Sequence, residues 1–109
     1  MIYLTTDTPE GMRVMKTLGL VNGSTVRARH IGRDIMAGLR GIVGGEVTEY
    51  TKLLAESRQQ ALQRLELRAT EMGANAVIGL RFGTSMIMGG AAEILAYGTA
   101  VVLEEKAGA

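Results

Sequence analysis

At 109 residues, 47% hydrophobic and only 4% aromatic, the chain has the size of one domain, with apolar content drawn from Ala, Val, Ile, Leu and Met. Twelve basic against eleven acidic residues leave a formal net charge of +1, so no whole-molecule field favours nucleic acid or an anionic membrane. With no cysteine, disulfides, thiolate catalysis and cysteine-ligated metals are excluded.

The N-terminus has no basic region followed by an apolar core, and no apolar run approaches the roughly 20 residues of a membrane span. A single cytoplasmic domain over residues 1–109 is expected. Ile2 to Thr6 has strand composition and ends in Asp7-Thr8-Pro9-Glu10-Gly11, a turn signal holding the only proline. Met12 to Arg29 is rich in Val, Leu and Thr without a helical period. Asn22-Gly23 in its middle marks a hairpin turn or a bulge, and one long bent strand is the favoured reading.

At 100° per residue, Ile31, Ile35, Leu39, Ile42 and Val43 share one arc of a short helix, with Ala37, Gly38, Gly41, Gly44 and Gly45 nearly opposite. Glycine inside a helix costs roughly 1 kcal/mol against alanine. Gly38, Gly41 and Gly44 at spacing three therefore predict close approach of another backbone, which reads as assembly. A longer helix is expected from Glu46 to Met72, with Val47, Tyr50, Leu54, Ala61, Leu65, Ala69 and Met72 on one stripe and Gly73 as a left-handed stop. Glu46 and Glu49 suit the positive end of its dipole. Leu53 and Leu67 fall off the stripe, either as scattered surface leucines or as contacts with a neighbouring subunit.

Ala76 to Met86 sets Ala76, Ile78, Leu80 and Phe82 against Val77, Gly79, Arg81 and Gly83, the period of a strand with one apolar face. A glycine-containing turn over Ile87 to Ala91 leads into a last strand, Ala92 to Leu103. That strand is apolar on both faces apart from Glu93 and Thr99, as for one covered on each side. The layout is α+β: a mostly antiparallel sheet with two helices on one face, its other face and edges open to a neighbouring subunit.

Three segments carry a resemblance: RHIGRDIMAGLRGIVGGEVTEYT at 29 to 51, MGANAVIGLRF at 72 to 82 and EILAYGTAV at 93 to 101. In this order and spacing they resemble the YbjQ-like family of small bacterial and archaeal proteins, described as heavy-metal-binding and otherwise uncharacterised. The resemblance spans nearly the whole chain. It implies a dodecin-like β-α-β-β subunit with an extra N-terminal strand, a homopentameric ring, and a metal ion of unknown identity. It transfers no established ligand residue.

The residues themselves give a metal limited support. Heavy metals favour thiolate or imidazole, and the chain offers one imidazole, His30, beside the cations Arg29 and Arg33. Only symmetry could gather several copies of it around an axis. Met86 and Met88 form a Met-x-Met pair able to bind copper(I), although methionine at a strand end is more often adaptable filling. Asp34, Glu46 and Glu49 could serve a hard cation if clustered.

Glu93 shares a strand face with Leu95, Tyr97, Thr99 and Val101, where a carboxylate needs a partner. A neighbour's Tyr97 could supply it across a strand or subunit boundary, and the functional alternative is a ring of carboxylates lining a cation pore. Arg27, Arg29, Arg33 and Arg40, with His30, form the densest basic group. Small-anion binding by a structural ring is thus the alternative function, with ion pairing or solvation the simpler account and no aromatic interleaving for nucleic acid. GIVGGE before the long helix suggests a phosphate cradle but lacks the lysine and the serine or threonine of a phosphate-binding loop. No nucleophile with its base and no carboxylate pair stands at catalytic spacing, so an enzyme is not expected.

Overall fold

The computed structural model describes residues 1–27, 48–87 and 91–106. The expected short helix over 31–45 and most of the turn over 87–91 lie outside these residues. Four strands and one helix make up the described chain: β1 (Ile2–Tyr3), β2 (Met12–Arg27), α1 (Thr48–Glu71), β3 (Ala76–Ile87) and β4 (Ala91–Glu105). They form an α+β unit with one mixed sheet in the order β1-β3-β4-β2. β4 pairs antiparallel with both β2 and β3, whereas β1 runs parallel to β3. Two of the three pairings are antiparallel, and the parallel pair at the edge makes the sheet a mixed one.

The regular ladder of β1 stops at Tyr3, short of the expected Thr6, yet the chain stays bonded to β3. The Leu4 amide donates to Val77 O at 2.9 Å, Leu80 N to Leu4 O at 2.9 Å, and Gly79 N to Thr6 O at 2.9 Å. These bonds follow an irregularity in β3. Between Ile78 and Arg81 the register with β4 shifts, and Gly79 takes φ of 61°, a left-handed conformation that a side chain rarely adopts. The bulge inverts the alternation. Val77 and Leu80 both enter the core under the helix, while Ala76 and Ile78 join a separate cluster with Met12, Val101 and Leu103. The expected single face of Ala76, Ile78, Leu80 and Phe82 is therefore split at Gly79.

β2 is one long strand, but its irregularities lie between Val14 and Lys16 and between Thr17 and Gly19. Asn22-Gly23 makes neither turn nor bulge; the pair runs in register opposite Tyr97 and Ala96. Gly23 is instead a contact surface. A Cβ there would overlap Leu65 N and Ala61 O in the backbone of α1.

The helix settles on the sheet through Ser57, Ala61, Leu65 and Ala69, one residue per turn and all essentially buried. Opposite them lie Val21, Ile94, Ala96 and Ala100. Two alanines on each side of this contact, with Gly23 beneath the helix, let the backbones approach closely. Met72, expected on the stripe, is 36% exposed because the helix has already ended. Its stop is a Schellman motif: Gly73, at φ of 91°, donates to Thr70 O and Ala74 N donates to Ala69 O, each at 3.0 Å.

The Cα radius of gyration is 17.6 Å, against about 13 Å for a compact chain of about 100 residues. Such an extended subunit keeps more of its sheet at the surface.

Candidate functional site

Among the described residues, the sheet face away from α1 carries several exposed apolar side chains. Registered across β2, β4 and β3, its rows are Leu20, Thr99 and Ile78; Asn22, Tyr97 and Arg81; Ser24, Leu95 and Gly83; and Val26, Glu93 and Ser85. Leu20 is 72% exposed, Val26 54% and Tyr97 39%, while Glu93 and Leu95 are half-buried by their neighbours. Farther along β4 the same face is closed. Val101 and Leu103 are buried there beside Ala76, Met12 and Ile78. Within one copy β4 is thus covered on both sides in its C-terminal half and only partly covered on this face between Glu93 and Thr99.

The two edges of the sheet differ. Along β2, Arg64 Nη1 donates to Ser24 O at 2.6 Å and Arg68 Nη1 to Asn22 O at 3.2 Å, with a further bond from Arg68 to the Asn22 side chain. Placed one turn apart on α1, the two arginines occupy strand carbonyls that another chain could otherwise pair with. Arg81 Nη1 donates to Thr5 O at 2.7 Å and Leu80 O at 2.9 Å, tying the bulge of β3 to the segment after β1. Asn75 acts as an extra rung: its Nδ2 donates to Leu103 O and its Oδ1 accepts from Leu103 N, each at 2.8 Å. Sequence reasoning missed these roles. Only the spacing of Arg64 and Arg68 beside Leu65 and Ala69 could have signalled one of them.

Among the described residues, Tyr3 is the titratable group that its surroundings displace. Burial first, then the Glu66 carboxylate on α1 as acceptor and charge, push its phenol up to about 12. The hydroxyl has no hydrogen bond of normal geometry among the described residues, and neither has the buried Thr25 Oγ1.

The expected metal donors do not converge within one copy. Met86, 79% exposed, stands opposite Ala92 on the helix side of the sheet, whereas Glu93 stands opposite Ser85 on the other side. Among the described residues no three His, Cys, Asp or Glu side chains gather to hold a metal ion. His30 and Met88 lie outside the described residues, as do Arg29, Arg33 and Arg40 of the basic group, Asp34 and Glu46, and Gly38, Gly41 and Gly44 of the expected assembly helix. Arg27 closes β2 opposite Ala92, with its side chain likewise outside. Of the two leucines read as subunit contacts, Leu53 is half-buried and its carbonyl accepts from Ser57 Oγ at 2.8 Å, whereas Leu67 is 63% exposed. No described helix is long and apolar enough to cross a membrane.

Comparison with known proteins sets this geometry in a family. A solved structure from Pediococcus pentosaceus, a protein of unknown function in the DUF74 family, superposes with a TM-score of 0.62 at 16% identity, covering 95% of this chain and 98% of that one. That likeness is one of fold. A UPF0145 protein of Methanosarcina acetivorans is 59% identical over 106 residues, 97% of this chain and 100% of its own length. One from Dehalococcoides mccartyi is 55% identical over 104 residues, 95% of this chain and 100% of its own. One from Pyrococcus abyssi is 54% identical over 105 residues, 96% of this chain and 92% of its own. Residues 1–104 match the YbjQ family model, whose description is "Putative heavy-metal-binding", and the chain belongs to that family.

Proposed function

We propose that this protein is a non-enzymatic, cytoplasmic binding protein that works as a homo-oligomeric ring, of five copies as the family resemblance implies, with any metal held by ligands shared between copies. The observation that carries the reading is the separation of Met86 and Glu93 onto opposite faces of one sheet. Among the described residues of a single copy, no three His, Cys, Asp or Glu side chains gather into a metal site. Assembly supplies what the subunit lacks, because symmetry repeats each side chain around an axis. The extended shape and the exposed Leu20, Val26 and Tyr97 support assembly on separate grounds. No thiolate is available, so the donors in such a site are imidazole, thioether and carboxylate, a set suited to borderline metals more than to the softest.

Mass measurement in solution, followed by calorimetry of the untagged protein with zinc(II) and with copper(I), tests both parts. The expected result is a multi-copy particle that takes up metal at fewer than one ion per chain and loses uptake in His30→Ala. A single-copy particle removes the ring. An assembled particle without tight uptake removes the metal.

A further inference from the structure

Asn22-Gly23 has the composition of a turn, yet it is held straight within β2, opposite Tyr97 and Ala96. The pair also carries a chemistry of its own. In an Asn-Gly sequence the following amide nitrogen readily attacks the asparagine side chain, because glycine has no Cβ to crowd the approach. This glycine is not free to change. A Cβ at position 23 would overlap Leu65 N and Ala61 O in the main chain of α1, so the seating of the helix demands the residue that makes Asn22 labile.

The same seating holds the pair closed. Arg68 and Arg64 donate to the carbonyls of Asn22 and Ser24 along the outer edge of β2, so Gly23 between them turns its own N–H and C=O inward, to Ala96 of β4. A nitrogen engaged in the ladder keeps its proton. The extended backbone at Asn22 directs that nitrogen away from the Asn22 side chain, and Arg68 bonds the side-chain oxygen as well. Turning Asn22 into a ring would swing Gly23 against the main chain of α1.

We propose that Asn22-Gly23 is a deamidation site gated by the docking of α1 on β2: chains with the helix seated are protected, chains in which it lifts are modified, and the isoaspartate product does not seat it again. Hydroxide takes the Gly23 amide proton and the nitrogen bonds to Asn22 Cγ. The bond from Cγ to the side-chain nitrogen breaks, and ammonia leaves with a proton from water, which restores the hydroxide. Water then opens the ring. Attack at Cγ leaves aspartate, whereas attack at the main-chain carbonyl of residue 22 leaves isoaspartate, with the chain running on through Cβ and Cγ.

The two products differ in what the fold can accept. Aspartate keeps the length of the strand and sets a carboxylate where Arg68 already bonds the Asn22 side chain. Isoaspartate adds one carbon to the main chain before Gly23, which moves that glycine from beneath Leu65 N and breaks the register with Ala96. A transient opening thereby becomes a permanent loss.

Trypsin releases residues 17–27 as one peptide that holds Asn22, and Asn75, followed by Ala76, is the slow reference elsewhere in the chain. Mass spectrometry of that peptide follows the whole protein at mildly alkaline pH, folded and in urea. Asn22 is expected to deamidate more than about tenfold more slowly in the folded protein, as for a site reached only by local opening. Urea below the unfolding transition is expected to raise the folded rate in step with hydrogen exchange at the Gly23 amide. Leu65→Ala should raise the folded rate and leave the denatured rate unchanged, since the pair itself is untouched; Arg68→Ala gives the same comparison if Leu65→Ala does not fold. On dilution from urea the isoaspartate chains should stay unfolded, while the Asn22→Asp variant recovers native helix content. Equal rates in folded and denatured protein overturn the gating, as does a folded rate that stays constant while Gly23 exchange rises. Isoaspartate chains that recover native helix content overturn the irreversible step.

Discussion

The amide nitrogen of Leu65 occupies the space in which a side chain on Gly23 would begin. The helix is therefore seated on β2 by backbone contact, and the buried stripe of Ala61, Leu65 and Ala69 is placed over the sheet as a consequence. Replacing Gly23 by alanine forces either the helix to lift or the strand to bend, because the obstructing atoms belong to the main chain. The expected loss is about 3 kcal/mol, the upper end for overpacking a core. Gly83→Ala is the control, since nothing lies within 4 Å of a Cβ there. Denaturant unfolding of both variants checks this: a Gly23→Ala midpoint matching that of Gly83→Ala would mean that the helix is not in contact.

Gly79 requires a different argument, from conformation. Its φ of 61° costs an L-residue roughly 1–2 kcal/mol. A Cβ at this position also comes within 2.8 Å of Asp7 Oδ1, a side chain able to swing away. Gly79→Asn is expected to be milder than Gly79→Val, because asparagine tolerates the left-handed region and β-branched residues do not. Asp7→Ala in a Gly79→Ala background should recover only the contact, leaving most of the loss. Thermal melts of the four variants decide it, and full recovery in the double variant would place the whole cost in the contact.

These two glycines also mark how far the sequence could be read. Periodicity found α1, because Ala61, Leu65 and Ala69 repeat at the spacing of one helical face, and the stop at Gly73 followed from its known preference for a left-handed cap. β4 was legible for the same kind of reason, an uninterrupted apolar run. What failed was parity in β3. One left-handed residue shifts every following side chain to the other face, and nothing local separates Gly79 from a glycine that merely lacks a side chain, such as Gly83. Asn22-Gly23 misled in the opposite sense: its composition is that of a turn, and only a helix 40 residues downstream, with Arg64 bonded to Ser24 O, explains the glycine. Of the candidate site, the shared face of Glu93, Leu95 and Tyr97 was legible from alternation, whereas the separation of Met86 from Glu93 depended on register with β4.

Arg64 and Arg68 guard the open edge of β2, and removing them should expose it. Arg64→Ala with Arg68→Ala frees the carbonyls of Ser24 and Asn22, at a net cost of about 1 kcal/mol per hydrogen bond lost. The larger effect is expected in solution behaviour, since an unprotected edge pairs with other chains. Light scattering on warming should show earlier aggregation than in wild type, with the double lysine variant between the two because lysine keeps the charge but not the planar donor set. Aggregation unchanged in the alanine variant would show that the arginines do not protect the edge.

Tyr3 predicts how stability responds to alkali. Burial and the Glu66 carboxylate both favour the neutral phenol, so the folded protein holds its proton to about 12, against an ordinary value of 10.0. Below that ordinary value folded and unfolded chains are both protonated at this site, and the contribution is fully present. As pH rises from there toward the folded value, the unfolded chain binds fewer protons than the folded one, and stability falls with pH. The loss is complete once the folded phenol ionises. Tyr3→Phe keeps most of the packing and removes the proton, so its stability should lack this part of the alkaline decline. Glu66→Gln should move the Tyr3 transition part of the way back, because burial, the larger cause, remains. Tyrosinate absorbance of the folded protein, with denaturant midpoints taken over the same pH range, measures both. If all three tyrosines titrate together near the ordinary value while the protein is folded, Tyr3 is neither buried nor held by Glu66, and the packing of β1 against α1 is not as described.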